Sequence, residues 1–253
     1  MDQQLPVGSR VALVTGAGRG LGAGIAHALA GDGYAVVVND LPTSVGAPAV
    51  VDDIRAAGGT ALLAVGDASD FDDVQRMVAE VSERLGLIDV FVANASGPQP
   101  VIELADMTWR DVEAHLALFV RSPMLITQAI LPGMRRSGRG RIVLIGSDLV
   151  ERAVPGWSAY AAAKAAMIGL TRTWARELGR DGITVNLVAP GWIPVERHAE
   201  SSAQERDAYL ADVPIGRLGV PADVAAVVAF LSSDAASFIT GQRITVNGGH
   251  ITT

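Results

Sequence analysis

Cysteine is absent from the 253-residue chain, which removes disulfides, thiolate nucleophiles and sulfur-ligated metal sites from consideration. Histidine is scarce, and His27, His115, His198 and His250 lie far apart without ligand spacing, so no metal centre is expected. A basic surplus is also lacking. The net charge of −7 argues against nucleic-acid and anionic-membrane partners, and the few neighbouring cations, Arg135, Arg136, Arg139 and Arg141, read as a solvated helix end and loop. No apolar run approaches the roughly 18 residues that would span a bilayer, and residues 1–10 lack the charged-then-apolar pattern of a leader. A soluble, cytoplasmic protein without a membrane partner is the expectation.

The scarcest base is lysine. Lys164 is the single one, and it stands four residues after Tyr160, one of three tyrosines. Chance places it so with a probability of roughly one in a hundred, whereas a helix puts the two side chains on one face. Arginine is a wide planar fork that stays charged at any useful pH, so a position reserved for lysine points to a compact ammonium beside a phenol.

The remainder is sufficient for one large α/β core, with apolar residues making up 49% of the chain. Short β-rich apolar runs at 10–15, 35–40, 60–65, 89–94, 141–146, 183–188 and 243–246 alternate with amphipathic stretches of helical length. Seven such runs joined by helical crossovers predict a doubly wound parallel sheet of the Rossmann type, with helices on both faces. No internal repeat or linker divides the chain, so residues 1–253 read as a single domain. One long polar stretch, 190–213, reads as an irregular loop of the length that lids have.

The first run leads into Thr15-Gly16-Ala17-Gly18-Arg19-Gly20-Leu21-Gly22, where a helical pattern starts at once. Glycines there let the backbone approach a pyrophosphate, which the free amides and dipole of the helix N-terminus hold. Asp40 follows Gly16 by 24 residues, at the end of the second run, where a carboxylate binds both hydroxyls of an adenosine ribose.

Taken together these motifs resemble the short-chain dehydrogenase/reductase family over essentially the whole chain. The glycine turn at Gly16, Gly20 and Gly22 has that family's wide spacing. Tyr160 and Lys164 match its Tyr-x-x-x-Lys pair, and Ser147, 13 residues before Tyr160, matches its serine. Pro190-Gly191 and Thr240-Gly241 complete the likeness. The resemblance implies an oxidoreductase that interconverts a secondary alcohol and a ketone. Its catalytic residues are Ser147, Tyr160 and Lys164, with Tyr160 as acid/base and Lys164 also holding the nicotinamide ribose. It further implies cofactor contacts from Gly16, Arg19, Gly20, Leu21, Gly22, Asp40, Asp67, Ala68, Asn94, Tyr160, Lys164, Pro190, Gly191 and Ile193. For Asp67 a helix-start role is the other reading, and for Ser147 a strand-end cap.

A free phenol titrates at about 10 and is a poor base at neutral pH. A nearby ammonium and an oxidised nicotinamide favour the phenolate, and a shift of roughly three units asks for about 4 kcal/mol. Ser147 supplies a neutral hydrogen bond to the substrate oxygen. Asp40 would repel the extra phosphate of NADP, and although Arg19 could offset it, Leu41 and Pro42 add no second cation, so NAD is expected over NADP.

Three positions depart from the family pattern. Ala93-Asn94-Ala95-Ser96 keeps one asparagine of two, so the cofactor wall is expected and the sheet-stabilising asparagine is missing. Val195 stands where a threonine contacts the nicotinamide carboxamide. The asparagine that links the lysine to solvent is replaced by Phe119, or by Leu116 if the count runs forward from Trp109, and His115 is a candidate substitute in that relay. Substrate contacts are expected from Asp148, Leu149, Glu151, Arg152, Trp157 and the segment 192–198, including Glu196, Arg197 and His198. Small residues along the helix of Tyr160, together with the C-terminal segment 244–249, match the family's dimer and tetramer contacts. A non-redox use of the scaffold, as a lyase, a dehalogenase or a nucleotide sensor, is the alternative.

Overall fold

The computed structural model describes residues 10–196 and 202–252. Seven strands form one sheet: β1 (Val11–Thr15), β2 (Ala35–Asp40), β3 (Ala61–Val65), β4 (Ile88–Ala93), β5 (Gly140–Ile145), β6 (Ile183–Pro190) and β7 (Arg243–Val246). They lie in the order β3, β2, β1, β4, β5, β6, β7, and every neighbouring pair is parallel. All seven expected runs are strands, with β6 reaching two residues further, to Pro190. The winding reverses between β1 and β4, which opens a crevice at the C-terminal ends of those strands.

Parallel strands covered on both faces have apolar residues at consecutive positions, because alternate side chains enter different cores. In β1, Val11 and Leu13 enter one core while Ala12 and Val14 enter the other. Phe91 and Ala93 of β4 and Ile142 and Leu144 of β5 share the first core; Val90, Val92, Val143 and Ile145 share the second. Helices α1 (Gly20–Gly31), α2 (Ala47–Ala56) and α9 (Pro221–Ser232) cover the second core. The first is covered by α3 (Phe71–Arg84), α5 (Ser122–Ser137) and α7 (Ser158–Leu178). Full burial of a side chain such as Phe91 contributes roughly 1.5–3 kcal/mol, so the first core owes much to Phe91, Phe119, Ile126 and Met134, all at most 1% exposed.

Two sequence expectations change here. A π-helical turn, Ala117–Arg121, joins α4 (Trp109–Leu116) to α5, so Trp109–Ser137 is one helical run of 29 residues. By length and composition alone it is apolar enough to cross a membrane, against the expectation that no run comes close, a property that a buried core helix shares. The run carries Arg110, Asp111, Glu113, Arg135 and Arg136 towards its ends and an exposed Arg121 near its middle, and the face carrying Phe119, Leu125, Ile126, Ile130 and Met134 is buried in the first core. Second, the stretch expected to be irregular contains a helix, α8 (Ala203–Ala211). Its start carries a capping box in which Ser202 Oγ accepts from the Glu205 amide and Glu205 accepts from the Ser202 amide, a Ser-x-x-Glu signal that marks helix starts. A single turn, α6 (Leu149–Arg152), follows Ser147. Arg197 and His198 lie outside the described residues.

Candidate active site

The glycine turn takes the shape the sequence asks of it. Gly16 and Gly20 have φ of 62° and 54°, a region that side chains strain to adopt. A Cβ on Gly22 would stand 2.2 Å from the Gly16 carbonyl oxygen and 2.5 Å from Asn94 Nδ2, so only glycine fits. The first turn of α1 has no acidic residue and no side-chain cap, which leaves its amides and positive dipole end for an anion. The Gly18 amide donates to Asp40 Oδ2 (2.9 Å) and the Leu41 amide to Asp40 Oδ1 (2.9 Å). The carboxylate is thereby fixed at the end of β2 with lone pairs remaining for further donors. Beside the turn, Arg19, His27, Asp53, Pro194 and Glu196 are among the residues lining an open cleft of about 610 Å³. This cradle fits a dinucleotide: a turn too tight for side chains, an uncapped helix N-terminus and a carboxylate at the neighbouring strand end.

Asn94 has a structural role beside the one expected. Its Nδ2 donates to the carbonyls of Thr15 (2.9 Å) and Gly16 (3.1 Å), while Thr15 Oγ1 accepts from the Asn94 and Ala95 amides (both 3.1 Å). Asn94 therefore performs the stitching of β1 to β4 that the sequence reading took to be missing with Ala93. Asp67 Oδ1 accepts from Ser69 N and Ser69 Oγ (both 2.8 Å). The start of α3 belongs instead to Asp70, whose Oδ1 accepts from the Asp73 amide (3.0 Å), so the helix-start reading of Asp67 falls away. Ala68 beside it is buried.

Ser147 follows β5, half-buried, and its Oγ accepts from the Leu149 amide (3.1 Å). That is the capping role held open above, and it leaves the hydroxyl proton available to donate. On α7, Tyr160 and Lys164 are both buried and one turn apart. Lys164 Nζ donates to the Ile145 carbonyl at 2.6 Å, which ties α7 to the end of β5 two residues before Ser147. The same nitrogen lies 3.7 Å from the centre of the Phe119 ring and 5.7 Å from that of Tyr160. A compact ammonium makes both contacts from one atom, which the wide planar fork of a guanidinium cannot do.

The π-turn settles which residue faces the lysine. Phe119 does, and Leu116 is the last residue of α4, one turn back. The π-turn that carries Phe119 lies beside the lysine, as such turns do near functional groups. Around the Tyr160 ring stand Phe119 (5.5 Å, 85°), Trp157 (5.5 Å, 82°) and His115 (6.0 Å, 90°), all edge-on. His115 is buried, with Nδ1 2.8 Å from the Asp111 carbonyl and Nε2 without a hydrogen-bond partner. A carbonyl only accepts, so Nδ1 carries a proton.

The loop after β6 lies across the same end of the sheet. Pro190 accepts from the Asp148 amide (3.0 Å), and Gly191 donates to the Val246 carbonyl (3.0 Å). Gly191 has no room for a side chain, since a Cβ would stand 2.5 Å from the Tyr209 hydroxyl. Ile193 is buried, and Val195 packs over Gly20. The position expected of a threonine is thus an apolar wall against the glycine turn. Sequence reasoning missed Tyr209, whose hydroxyl accepts from the Trp192 amide (2.8 Å); the capping box that starts its helix is the signal that would have found it. Among the described residues no cluster of His, Asp and Glu has the makings of a metal site.

Known proteins give the same picture. A family model described as enoyl-(acyl carrier protein) reductase matches residues 16–250. A 3-oxoacyl-(acyl-carrier-protein) reductase of Staphylococcus epidermidis is 39% identical over 243 residues, 95% of this chain and 98% of its own. The proteins of that name from Synechocystis and Escherichia coli are each 38% identical, over 96% and 95% of this chain and 97% and 96% of theirs.

Proposed function

Because the chain belongs to the short-chain dehydrogenase/reductase family, and is thus a nicotinamide-dependent oxidoreductase of secondary alcohols and ketones, we propose that Tyr160 is its acid/base and NAD its preferred dinucleotide. The observation that carries the reading is the Lys164 contact with the Ile145 carbonyl, because it brings the Tyr160 helix to the strand end that Ser147 follows.

The dinucleotide, when bound, accepts or donates the hydride. Everything else is done by residues of the chain. Gly16, Gly20 and Gly22 shape the turn, with Arg19 and Leu21 exposing the amides that hold the pyrophosphate. Asp40 holds the adenosine ribose, Asp67 and Ala68 border the adenine, and Asn94, Pro190, Gly191 and Ile193 wall the nicotinamide. The Ser147 hydroxyl donates to the substrate oxygen and fixes its direction. Tyr160 takes the proton of an alcohol during oxidation, or supplies it to the oxygen of a ketone during reduction. Lys164 stabilises negative charge on the phenol oxygen, and its own position is set by Ile145 and Phe119.

NAD is favoured by the site of Asp40. Its carboxylate is anchored by two backbone amides and stands where an additional ribose phosphate would meet it, with Leu41 next in sequence instead of a cation. The substrates we put first are 3-oxoacyl thioesters, after the names of the relatives. The enzyme acts as one domain with 190–213 as its lid, in the cytoplasm, as a homodimer or homotetramer, and apart from nucleic acid and membrane, in keeping with its net charge of −7.

The test is a fluorescence titration of the purified protein with NADH and, separately, NADPH, followed by reduction of acetoacetyl thioesters. Tight NADH binding, weak NADPH binding and turnover that Tyr160→Phe abolishes are expected. Preference for NADPH would refute the argument from Asp40, and full activity of Tyr160→Phe would refute the assignment of the acid/base.

A further inference from the structure

Behind Ser147 lies a buried polar cluster that the reaction above does not use. Asp148 is 1% exposed. Its Oδ2 accepts from Asn247 Nδ2 (3.3 Å) and stands 3.6 Å from His250 Nδ1. That nitrogen is buried and has no hydrogen-bond partner, so the two groups face one another just beyond bonding distance. The His250 ring is stacked on Tyr209 of α8, with centroids 4.4 Å apart and planes inclined by 30°. Tyr209 in turn accepts from the Trp192 amide, and the Trp192 ring meets it edge-on at 5.4 Å. The C-terminal segment is itself held in place. Asn247 Nδ2 also donates to the Ile251 carbonyl (3.2 Å), Asn247 Oδ1 accepts from Gly249 (3.1 Å), and the Gly248 carbonyl accepts from Ile215 (3.2 Å).

The cluster thus joins four parts of the chain: the residue after Ser147, the loop after β6, α8 and the C-terminal segment. The other charged or titratable groups facing it are Arg152 of α6, whose guanidinium carbon lies 5.2 Å from the Tyr209 ring centre, and the Arg243–Glu151 pair (2.5 Å). Arg243 also reaches the Ser147 carbonyl (3.4 Å). Buried polar groups usually have partners, and one left without calls for an explanation. Here the unpaired nitrogen belongs to an imidazole, a side chain that changes charge with pH, and the Asp148 carboxylate stands 3.6 Å from it.

We propose that Asp148 and His250 are positioning residues that form a pH-responsive clasp, closed when the imidazolium faces the carboxylate, which holds Ser147 and fastens α8 over the substrate end of the sheet. With His250 neutral, the attraction across the 3.6 Å gap is lost, while the stacking of His250 on Tyr209 remains. Burial holds the Asp148 carboxyl above the usual carboxylate range, opposed by Asn247, Arg152 and His250. The ionised form therefore depends on those partners.

The kinetic side of this proposal rests on the catalytic reading above; the spectroscopic side does not. Emission of Trp192, isolated by comparison with Trp192→Phe, is followed in the unliganded protein from about pH 5 to about pH 9. A transition within that range is expected. It disappears in His250→Phe, which keeps a ring against Tyr209, and in Asp148→Asn. With an acetoacetyl thioester, KM of the native enzyme rises by about fivefold or more across the same range, the lower end for coupled sites, with kcat little changed. In both variants KM is flat, and the double variant behaves as either single one. A transition that persists in His250→Phe, or single effects that multiply in the double variant, overturns the clasp. If Asp148→Asn does not fold, His250→Phe decides alone. Loss of the catalytic reading through an active Tyr160→Phe leaves the emission result standing.

Discussion

Replacing Lys164 by methionine removes a charge while keeping the length and most of the volume of the side chain. The ammonium lies 5.7 Å from the centre of the Tyr160 ring. At that separation, with an effective dielectric constant of about 20, it stabilises a negative charge on the phenol by about 3 kcal/mol. The expected loss in kcat is therefore about a hundredfold. Stability should respond differently. The variant forfeits the bond to the Ile145 carbonyl and the contact with Phe119, but it also removes the desolvation cost of a buried cation, and such terms largely offset one another. The assay is reduction of an acetoacetyl thioester at saturating cofactor, with cofactor affinity measured separately by fluorescence and unfolding followed by calorimetry. Lys164→Arg keeps the charge but not the fit, and should still lose at least about tenfold. A methionine variant within about threefold of the native kcat, with cofactor bound normally, would show that the ammonium does not act on Tyr160.

Asp40→Ser should narrow the ratio of NAD to NADP efficiencies by about tenfold or more, and an unchanged ratio would sink the electrostatic argument. Gly22→Ala brings a Cβ to 2.2 Å from a backbone oxygen; it should destabilise by about 1–3 kcal/mol and weaken NADH binding in titration, and a normal melting temperature would contradict the geometry. Asp223 is held at about 2 by Arg217 and the Val220 amide, below its unfolded value, so its contribution is present above about pH 4 and disappears as pH falls through about 2. Asp223→Asn should accordingly lower stability at neutral pH and make little difference near pH 2 in a series of denaturant titrations.

Much of this was legible in the chain because each signal has one physical cause. Consecutive apolar residues from 11 to 14 and from 35 to 38 mean a strand buried on both faces, and glycines at 16, 20 and 22 mean a turn that no side chain can enter. Tyr160 and Lys164 are neighbours because a helix makes residues four apart neighbours. The misreadings came where a residue's partner lies elsewhere in the sequence. Asn94 is read from its neighbours as a cofactor wall alone, but its amide also bonds to Thr15 and Gly16, 79 and 78 positions away, a stitching role that the sequence does not mark. The choice between Leu116 and Phe119 does not resolve from sequence because a π-turn leaves no compositional mark, and what fixes Phe119 is the ammonium on another helix. The pairing of Asp148 with His250 has the same character. α8 was missed for a different reason, since the Ser202–Glu205 box was there to be read but the surrounding polarity pointed to a loop.

The strand order has a consequence for how the chain is made. β1 pairs with β2 on one side and with β4 on the other, and the second pairing joins Val11 to Ile88, residues 77 apart in sequence. Loop closure over such distances must precede the contacts that reward it, which places parallel sheets among the slow folders. During synthesis, therefore, the apolar edge of β1 emerges long before its second neighbour exists, and the glycine turn that follows it has no β4 to be stitched to. Until Asn94 has left the ribosome the nucleotide cradle cannot close, so yield in a heterologous host should depend more on the rate of translation and on chaperones than on the stability of the finished protein.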